Sequence, residues 1–501
     1  MPTRREFLLS LLATAVQGGL VWAQARTCGP PPPATPQRRA GGESFPPLPL
    51  PATPIRRTER KRPPAPPALV GKVALGPLKW TTDQKGQRTS YRDWMTDPAD
   101  MVNLLDWTDN QLGIRYRSVE VELEKFSFDP TEIPVLYATG HDSFQFTDEV
   151  RAKLAQYLMD GGYLIGDACC GAKAFADSFL AEMAAVFPQR PLFKLPQDHP
   201  LFRCFYPVGS VTYQAEGKGS YSGFPEFLGL SIGCRLAVFF SPVDLSCGWD
   251  GHTHPTGARI LPDGARPIGA NLITYDLANY QLGRFLSTQK QYFQRGERTR
   301  DEFVFGQVIH GGDWDPDPGA VANLLRTVTT NSTMEVQFTR EDVDLRTMDT
   351  FRHHFLYLTG HRDFALTDTE AKALRGFLLG GGMLLGDACC GQRSFDAAFR
   401  RELARAIPEA TLAPLDLSHP LFSALFRVTS TRATDYLRAR GTDLAAPELE
   451  VLSVGGELTV IYSRYDLGCG WEGVEHPYGE GYQSEGALAL AANTLIYGMT
   501  H

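Results

Sequence analysis

The hydrophobic pattern of the C-terminal half alternates between short apolar runs and stretches with helical spacing. The apolar runs are typical of buried strands: "EFVFGQVIHGGDW", "TMEVQF", "HFLYLTGH", "MLLGDA" and "ELTVIYSR". The stretches between them predict helices: "PGAVANLLRTV", "TDTEAKALRGFLLGGG", "SFDAAFRRELARAI" and "EGALALAANTLIYGM". Strands that alternate with helices at this spacing predict an α/β fold with a parallel, doubly wound sheet.

The helix predicted after "LYLTGH" carries the clearest local signals. Thr367 and Glu370 form the pattern of a capping box at its start. Three glycines at 380–382 end it, because glycine readily adopts the conformation that stops a helix. The face predicted to be buried consists of Leu374, Phe377 and Leu378.

The chain contains an internal duplication. Between Thr139 and Gly171, 17 of 33 positions are identical to those between Thr359 and Gly391, at an offset of 220 residues. Further along the offset becomes 222, so that "CGWDG" answers to "CGWEG". A period this long indicates two whole domains and not a solenoid repeat. We place the first domain at residues 71–290 and the second at 300–501.

The N terminus predicts export. "TRREFLLSLLATAVQGGLVWAQA" has two arginines before a modest apolar run and a small-residue cleavage site, so residues 1–25 read as a signal peptide of the twin-arginine type. An ordinary secretory signal that happens to contain two arginines is the alternative. We therefore expect a bacterial protein of the periplasm or the cell exterior, without a transmembrane span in the mature chain.

Residues 26–70 are rich in proline, as in "PPPPATPQRR" and "PPLPLPATP", and show little apolar periodicity. Such a segment predicts a disordered linker, because it cannot bury enough apolar surface to fold. The whole chain of 501 residues carries a net charge of −8, although the signal and linker are basic. The folded part is therefore acidic, which argues against a nucleic-acid partner.

Polar residues that both copies retain follow the predicted strands, where ligands bind in open α/β sheets. In the first copy they are Asp93, Trp94, His141, Asp167, Cys169, Cys170, Asp244, Cys247 and Trp249. In the second copy they are Asp313, Trp314, His361, Asp387, Cys389, Cys390, Asp466, Cys469 and Trp471. Together they predict a pocket in each domain, although any one of them could instead cap a helix or pack in the core. For the tryptophans, packing is the preferred interpretation over stacking on a sugar.

The pattern "YLTGH…LTD.E…GG.LLGDACCG…HPLF", with "GGDW…NLL" upstream, resembles the bacterial domain of unknown function 4159. The resemblance covers nearly everything from about residue 72 to the C terminus, twice. That family is assigned to the class I glutamine amidotransferase-like superfamily. The resemblance implies a flavodoxin-like, three-layer α/β/α sandwich in each copy, and it implies no particular reaction.

The cysteines of "GDACCG" can first be interpreted as nucleophiles. An amidotransferase cysteine lies in a G-x-C-x-G turn and is completed by His-x-Glu. Here Asp387 replaces the first glycine, and "EHP" at 475–477 and "THP" at 253–255 do not match His-x-Glu. Since a triad is defined by geometry, His361 or His419 could still act as a base toward Cys389.

Three other interpretations of the cysteines stay open. Cysteine, histidine and aspartate at strand ends are suitable zinc ligands, although no C-x-x-C spacing is present. Disulfides persist in exported proteins, and the pairs Cys170–Cys247 and Cys390–Cys469 would each close a loop worth about 4 kcal/mol. Nine cysteines are an odd number, and Cys28, Cys204 and Cys234 have no counterpart in the other copy. The thiols could also be buried and inert.

Two hypotheses for function follow. The first is a non-catalytic binding or scaffolding protein, whose ligand is a small molecule or another envelope protein. The second is a metal- or cysteine-dependent hydrolase, with His141 or His361 as base or ligand and Asp167 or Asp387 orienting it. The missing amidotransferase triad favours binding.

Overall fold

The computed structural model describes residues 68–82, 86–251, 256–288, 302–333, 337–350 and 352–500. The predicted signal segment, almost all of the linker, Cys28 and His254 lie outside these ranges. Within them, none of the helices combines the length with the apolar character that a bilayer crossing requires.

The first domain contains twelve described strands and five helices. The strands are β1 Ala68–Val73, β2 Leu78–Thr82, β3 Arg88–Arg92, β4 Tyr116–Val121, β5 Val135–Gly140, β6 Tyr163–Ala168, β7 Phe193–Lys194, β8 Val211–Ala215, β9 Gly219–Gly223, β10 Leu228–Ile232, β11 Arg235–Ser241 and β12 Ala258–Ile260. The helices are α1 Asp100–Leu112, α2 Asp148–Met159, α3 Lys173–Val186, α4 Ser246–Asp250 and α5 Pro262–Thr288.

The second domain repeats the same plan with fewer additions. Its strands are β13 Glu302–Val308, β14 Gln337–Val343, β15 Phe355–Gly360, β16 Met383–Ala388, β17 Ala413–Pro414, β18 Glu450–Val454 and β19 Glu457–Ser463. Its helices are α6 Ala320–Asn331, α7 Asp368–Leu379, α8 Arg393–Ala406, α9 Asp435–Ala439, α10 Gly468–Glu472 and α11 Ser484–Thr500.

Each domain is built on a seven-stranded, mostly parallel sheet. The strand order is β4-β1-β5-β6-β11-β10-β7 in the first domain and β14-β13-β15-β16-β19-β18-β17 in the second. The first five strands of each order pair in parallel, and the last two pair antiparallel. This is the flavodoxin-like order, and its topological switch point lies between β1 and β5 and between β13 and β15. The predicted fold class, two tandem flavodoxin-like α/β domains, is confirmed.

Helices cover both faces of each sheet, because the central strands are apolar on both sides. Every residue of β5, β6, β15 and β16 is buried, as expected for parallel strands between two layers of helices. The predicted capping box of α7 is present, with the Thr367 side chain accepting from the Glu370 N–H. The predicted buried residues Leu374, Phe377 and Leu378 do face the core.

Two details differ from the sequence pattern. The strand predicted from "TMEVQF" is observed at Gln337–Val343, while residues 334–336 lie outside the description. It pairs only with β13, so this edge strand tolerates polar residues and lacks the apolar run that marks a central strand. The antiparallel strand β18 was not predicted either, since its half-buried sequence gives only a weak pattern.

Additional strands cover the first domain. The hairpin of β2 and β3 occupies the loop where the second domain has the shorter "HGGDW" segment. A small sheet of β12, β8 and β9 lies in the segment after β7. β1 begins at Ala68, three residues inside the segment predicted as linker.

A buried ion pair of the first domain is absent at the matching positions of the second. In the first domain Lys72 is 4% exposed, and its Nζ donates to Asp100 at 2.6 Å and to the Asp97 carbonyl at 2.7 Å. The matching positions in the second domain are Gln307 and Ala320, judged by strand register and by the first residue of α6. Both members of the ion pair are therefore replaced together, as expected when a buried charge needs its partner.

This replacement yields a prediction for stability. Asp100→Ala should destabilise the first domain by roughly 3–5 kcal/mol, because it leaves the Lys72 ammonium buried without its carboxylate. Lys72→Gln combined with Asp100→Ala reproduces the second domain's pair and should recover most of that loss. Urea unfolding midpoints of the two variants measure the difference. A double variant no more stable than Asp100→Ala would show that the pairing does not account for the loss.

Candidate functional site

The strand order brings the predicted residues of the second domain to one edge of its sheet. Asp313 follows β13, His361 follows β15, the two cysteines follow β16, and Asp466 follows β19. Because these strands are parallel and adjacent, their carboxyl ends open toward the same side. Asp313 and His361 flank the topological switch point.

Asp387 fixes the loop that carries Cys469. It is fully buried near the end of β16, and its carboxylate accepts from Leu467 N at 3.0 Å and from Gly468 N at 2.9 Å. The Tyr357 hydroxyl donates to the same carboxylate at 2.9 Å. Burial raises the pKa of Asp387 to about 7, against the opposing effect of these hydrogen bonds. Asp387 therefore positions the start of α10 and does not line a cavity.

Asp466 joins the two cysteine loops. Its carboxylate accepts from Cys390 N at 2.7 Å and from Cys469 N at 3.0 Å. Burial and the neighbouring Cys390, Asp387 and Asp317 raise the pKa of Asp466 well above its ordinary value. The loop after β16 and the loop after β19 are thereby held at a fixed separation.

Cys390 lies in a strained turn between β16 and α8. Its φ of +53° places a non-glycine residue in the left-handed region, which costs on the order of 1–3 kcal/mol. Cys170 has a φ of +57° at the same place in the first domain. The backbone N–H groups of Cys390 and Cys170 donate to the carboxylates of Asp466 and Asp244, which keeps the strained turns in place.

Asp313 and His361 form a half-buried ion pair beside Cys390. His361 Nδ1 lies 2.6 Å from the Asp313 carboxylate, and His361 Nε2 lies 3.4 Å from Cys390 Sγ. Burial would lower the pKa of His361, but the charges of Asp313 and Cys390 raise it well above its ordinary value. Burial would raise the pKa of Asp313, but the charge of His361 and its hydrogen bonds lower it. Hydrogen bonds from Cys234, Cys389 and Cys469 hold the pKa of the Cys390 thiol well below its ordinary value.

Four cysteine sulfurs converge at this point, and we call Cys234, Cys389, Cys390 and Cys469 the junction cluster. All six pairs of sulfur atoms lie within 4.8 Å. Cys234 Sγ is 3.4 Å from Cys389 Sγ and 3.5 Å from Cys469 Sγ. Cys469 Sγ is 3.9 Å from Cys389 Sγ and 3.7 Å from Cys390 Sγ.

The fourth cysteine of the cluster comes from the other domain. Cys234 occupies the turn between β10 and β11 of the first domain, and its carbonyl is 2.8 Å from His476 Nε2 of the second. Other contacts also join the domains, including stacking of Tyr275 on Tyr478 with ring centroids 5.7 Å apart. The junction cluster is therefore assembled only when the two domains pack together.

Asp317 lies directly against the cluster. Its carboxylate oxygens are 2.9 Å from Cys234 Sγ, 3.2 Å from Cys389 Sγ and 3.5 Å from Cys469 Sγ. Burial raises the pKa of Asp317 above its ordinary value. The cluster thus combines four sulfurs, the carboxylates of Asp317 and Asp466 and, through Cys390, an imidazole.

A small cavity of about 30 Å³ between the domains reaches this cluster. That volume is enough for about two water molecules or a comparably small group. The second domain contributes Asp313, His361, Arg362, Cys390, Gln392 and His476 to its wall. The first domain contributes Phe193, Pro196, His199, Pro200, Ser231, Cys234 and Tyr275. Of the residues predicted to form the pocket of the second domain, Asp313 and His361 line this narrow cavity, and residues of the first domain form the rest of its wall.

The first domain repeats the loop geometry. Asp167 accepts from Leu245 N at 2.9 Å and Ser246 N at 3.1 Å, and Asp244 accepts from Cys170 N at 2.6 Å and Cys247 N at 2.9 Å. Burial raises the pKa of Asp167 to about 7.

The surroundings of that first-domain site differ. Asp93 accepts from His141 N and contacts His141 Nδ1 at 3.1 Å, but it also binds Lys79 at 2.8 Å. Lys79 comes from the inserted hairpin of β2 and β3, and it also contacts Asp142 at 2.9 Å. His141 is 2% exposed, so this hairpin helps to close the site over.

The other predicted residues have packing or capping roles. Trp249 and Trp471 are at most 1% exposed, and their Nε1 atoms donate to the carbonyls of Ala265 and Ala487. Trp94 is buried and Trp314 is half-buried. His419 caps the turn at Pro420–Ser423 and does not reach the cysteines, so of the two histidines considered as a base only His361 approaches one.

No disulfide joins any of the eight described cysteines in the structure. Cys390 and Cys469 are adjacent, and so are Cys170 and Cys247, so both predicted disulfide pairs lie close together without being joined. The pairing stays a prediction. For the zinc interpretation, the structure shows which sulfur and oxygen atoms lie close enough to share one ion, which the residue spacing in the sequence did not define.

Sequence reasoning missed three participants, Asp97, Asp317 and Cys234. Asp317 recurs as Asp97 at the 220-residue offset, and that signal could have identified both. Cys234 has no counterpart, since the matching turn of the second domain has glycines, and the sequence contains no sign that it reaches across the junction.

The hydrogen bonds of Asp387 yield a second prediction for stability. Asp387→Ala removes the acceptor of two backbone N–H groups and one hydroxyl, each of which costs roughly 1–3 kcal/mol when buried and unpaired. We expect the free energy of unfolding of the second domain, measured by urea unfolding, to fall by several kcal/mol, with a lower urea midpoint. Asp368→Ala is the control, because that carboxylate is 89% exposed. Similar midpoints for the two variants would contradict the anchoring role.

Comparison with known proteins defines the family. No curated protein matches the chain. One similar solved structure is described as a "putative gmp synthase subunit a protein" from Thermoplasma acidophilum, with 12% identity over 43% of this chain and 97% of that one and a TM-score of 0.21. Another is described as a "putative phosphosugar isomerase" from Silicibacter pomeroyi DSS-3, with 9% identity, coverage of 64% and 75%, and a TM-score of 0.16. These low scores carry no argument about function.

The family profile described as "Domain of unknown function (DUF4159)" matches residues 86–277 and again residues 304–499. These two matches span most of both α/β domains, and together they cover more than half of the chain. The chain therefore belongs to the DUF4159 family, of which it contains two tandem copies.

Proposed function

We propose that this chain is an exported, non-catalytic metal-binding protein. Its junction cluster binds one thiophilic divalent ion of the zinc class, and the ion links the two domains. The single observation that carries the proposal is the approach of all four sulfurs, from two domains, to within 4.8 Å of one another. Side chains from three separate loops of two domains have no packing reason to place four thiols at one point.

The sulfur separations fit one tetrahedral ion. Zinc–sulfur bonds of about 2.3 Å require sulfur–sulfur edges of about 3.8 Å in a tetrahedron. Four of the six edges of the junction cluster are 3.4 to 3.9 Å long, and all six are within 4.8 Å. Sulfurs this close have room for a single ion between them and no room for a cluster of several metal atoms.

The donor set also favours a structural ion. Four thiolates complete the coordination of zinc, and closed sites of this kind stabilise folds, whereas catalytic zinc keeps a position open for water. Soft thiolate ligands select zinc or copper(I) over calcium or magnesium. With all four positions taken by protein, the ion would hold the turn between β10 and β11 against the second domain. This supports a scaffolding role over a hydrolytic one.

Export through the twin-arginine route is part of the same proposal. That route carries folded proteins, so a metal could be inserted before the chain leaves the cytoplasm. A bound ion would also keep four neighbouring thiols from oxidising in a compartment where disulfides form. The proline-rich segment at 26–70 would then separate the folded domains from the signal peptide.

Metal analysis tests the proposal. Full-length mature protein purified without chelator is expected to contain bound zinc, and Cys234→Ser should lower the content by one equivalent per chain, measured by plasma mass spectrometry. Cys204→Ser is the matched control, because this cysteine of the first domain lies outside the cluster and its thiol donates to the carbonyl oxygens of Leu201 and Asn271. It should leave the zinc content unchanged.

Two outcomes would overturn the metal proposal. One is a metal content that Cys234→Ser does not lower. The other is a map of non-reduced peptides in which Cys390 is joined to Cys469, which would support the disulfide prediction instead.

A second candidate function rests on a different observation. Asp313, His361 and Cys390 form a relay with separations of 2.6 and 3.4 Å, and Cys390 lies in a strained turn after a central strand. This is the arrangement of an activated cysteine nucleophile, with the base oriented by a carboxylate. It also supports the assignment to the amidotransferase-like superfamily, whose nucleophile follows a strand. The function would then be a cysteine-dependent hydrolase.

Variants that separate the ligands from the relay distinguish the two candidates. For a hydrolase, Asp313→Asn should lower the turnover of an activated ester by roughly 10²-fold or more, because the base loses its orienting carboxylate. Cys204→Ser should leave that turnover intact, since Cys204 lies outside both the relay and the junction cluster. For the structural metal protein, ester turnover is absent in all variants, and Asp313→Asn keeps its zinc. Turnover lost in Asp313→Asn but kept in Cys204→Ser would replace the first candidate by the second.

A further inference from the structure

We infer that the first domain contains a second, separate metal site, formed by the thiols of Cys169, Cys170 and Cys247 and the carboxylate of Asp244. This inference goes beyond the proposed junction site, because it concerns different residues and a different coordination. We call these three cysteines the first-domain cluster.

The geometry of these four groups is that of a mononuclear site. The three sulfurs and one Asp244 oxygen all lie within 4.8 Å of one another. Cys169 Sγ is 3.9 Å from Cys170 Sγ and 3.9 Å from Asp244 Oδ2. A tetrahedral ion with about 2.3 Å bonds to sulfur and about 2.0 Å bonds to oxygen requires separations of about 3.5 to 3.8 Å. Small side-chain rotations would bring the set to that size.

The backbone fixes this donor set before any ion arrives. Asp244 accepts from the N–H groups of Cys170 and Cys247, so the carboxylate holds both cysteine loops and faces the sulfurs. A carboxylate oxygen has more than one lone pair, which leaves Asp244 able to ligate while it accepts these hydrogen bonds. Asp97 adds a second carboxylate, 3.1 Å from Cys169 Sγ and 3.6 Å from Cys247 Sγ.

Charge and burial specify the class of ion. The three cysteines are at most 2% exposed, and Asp244 and Asp97 are at most 2% exposed as well. Deprotonated thiols beside two buried carboxylates would repel one another, and a divalent cation bound between them would offset part of that charge. Three soft sulfurs and one hard oxygen suit zinc better than calcium or magnesium.

Unlike the junction cluster, the first-domain cluster lies within one domain. Its ion would be enclosed when that domain folds, whereas the junction ion is reached through the cavity that Cys390 lines. We therefore expect the first-domain ion to be the slower of the two to exchange with solvent, because its release requires local opening of a buried loop.

Zinc stoichiometry of the full-length mature chain tests the inference. We expect two equivalents per chain in the parent protein, one in Cys247→Ser, one in Cys234→Ser and none in the double variant. Chelation by a chromogenic reagent should release zinc from the parent in two phases. Cys234→Ser should retain only the slow phase, and Cys247→Ser only the fast phase.

The outcomes separate this inference from the junction proposal. One equivalent in the parent that Cys234→Ser removes and Cys247→Ser leaves would overturn the first-domain site alone. One equivalent with the opposite response would overturn the junction site alone. If Cys247→Ser does not fold, cobalt(II) reconstitution of Cys234→Ser decides the question. Thiolate-to-cobalt absorption at one equivalent supports the first-domain site, and its absence overturns that site.

Discussion

Two buried carboxylates in each domain determine the geometry on which the candidate sites depend. Asp387 and Asp466, with Asp167 and Asp244 in the first domain, accept backbone N–H groups from the loops that carry the cysteines. The loops after β11 and β19 also pack Leu245, Trp249, Leu467 and Trp471 into the cores, and the carboxylates fix their backbone in addition to that packing. Since burial makes ionised carboxylates costly, the N–H donors and the carboxylates are needed together. Asp387, Asp466 and their first-domain counterparts therefore serve to position the thiols.

The fold could be predicted in detail because its signals are local. Apolar runs, glycine stops and the capping box at Thr367 each report on a few neighbouring residues, and β15, β16 and α7 appear as expected. The edge strand at Gln337–Val343 was displaced in the prediction, because an edge strand is not buried on both sides and its polar residues carry no apolar period.

The site could be predicted only in part, because it depends on contacts between distant segments. The sequence identified Asp313, His361, Cys389, Cys390, Asp466 and Cys469 as strand-end residues, and the structure brings them together. Repetition was the useful signal, and by the same criterion Asp97 and Asp317 belong to the set. Cys234 could not be found in this way, because the matching turn of the second domain contains no cysteine and so Cys234 does not repeat.

Cys234 is supplied in one direction only, by the first domain to the cluster of the second. A donor turn on one unit and an acceptor site on the following unit form a head-to-tail contact, which in principle continues from molecule to molecule as a filament. The turn of the second domain that matches Gly233 and Cys234 consists of Gly455 and Gly456, which carry no thiol. The inserted hairpin bearing Lys79 covers the corresponding face of the first domain. The second domain therefore has no equivalent thiol with which to repeat this contact.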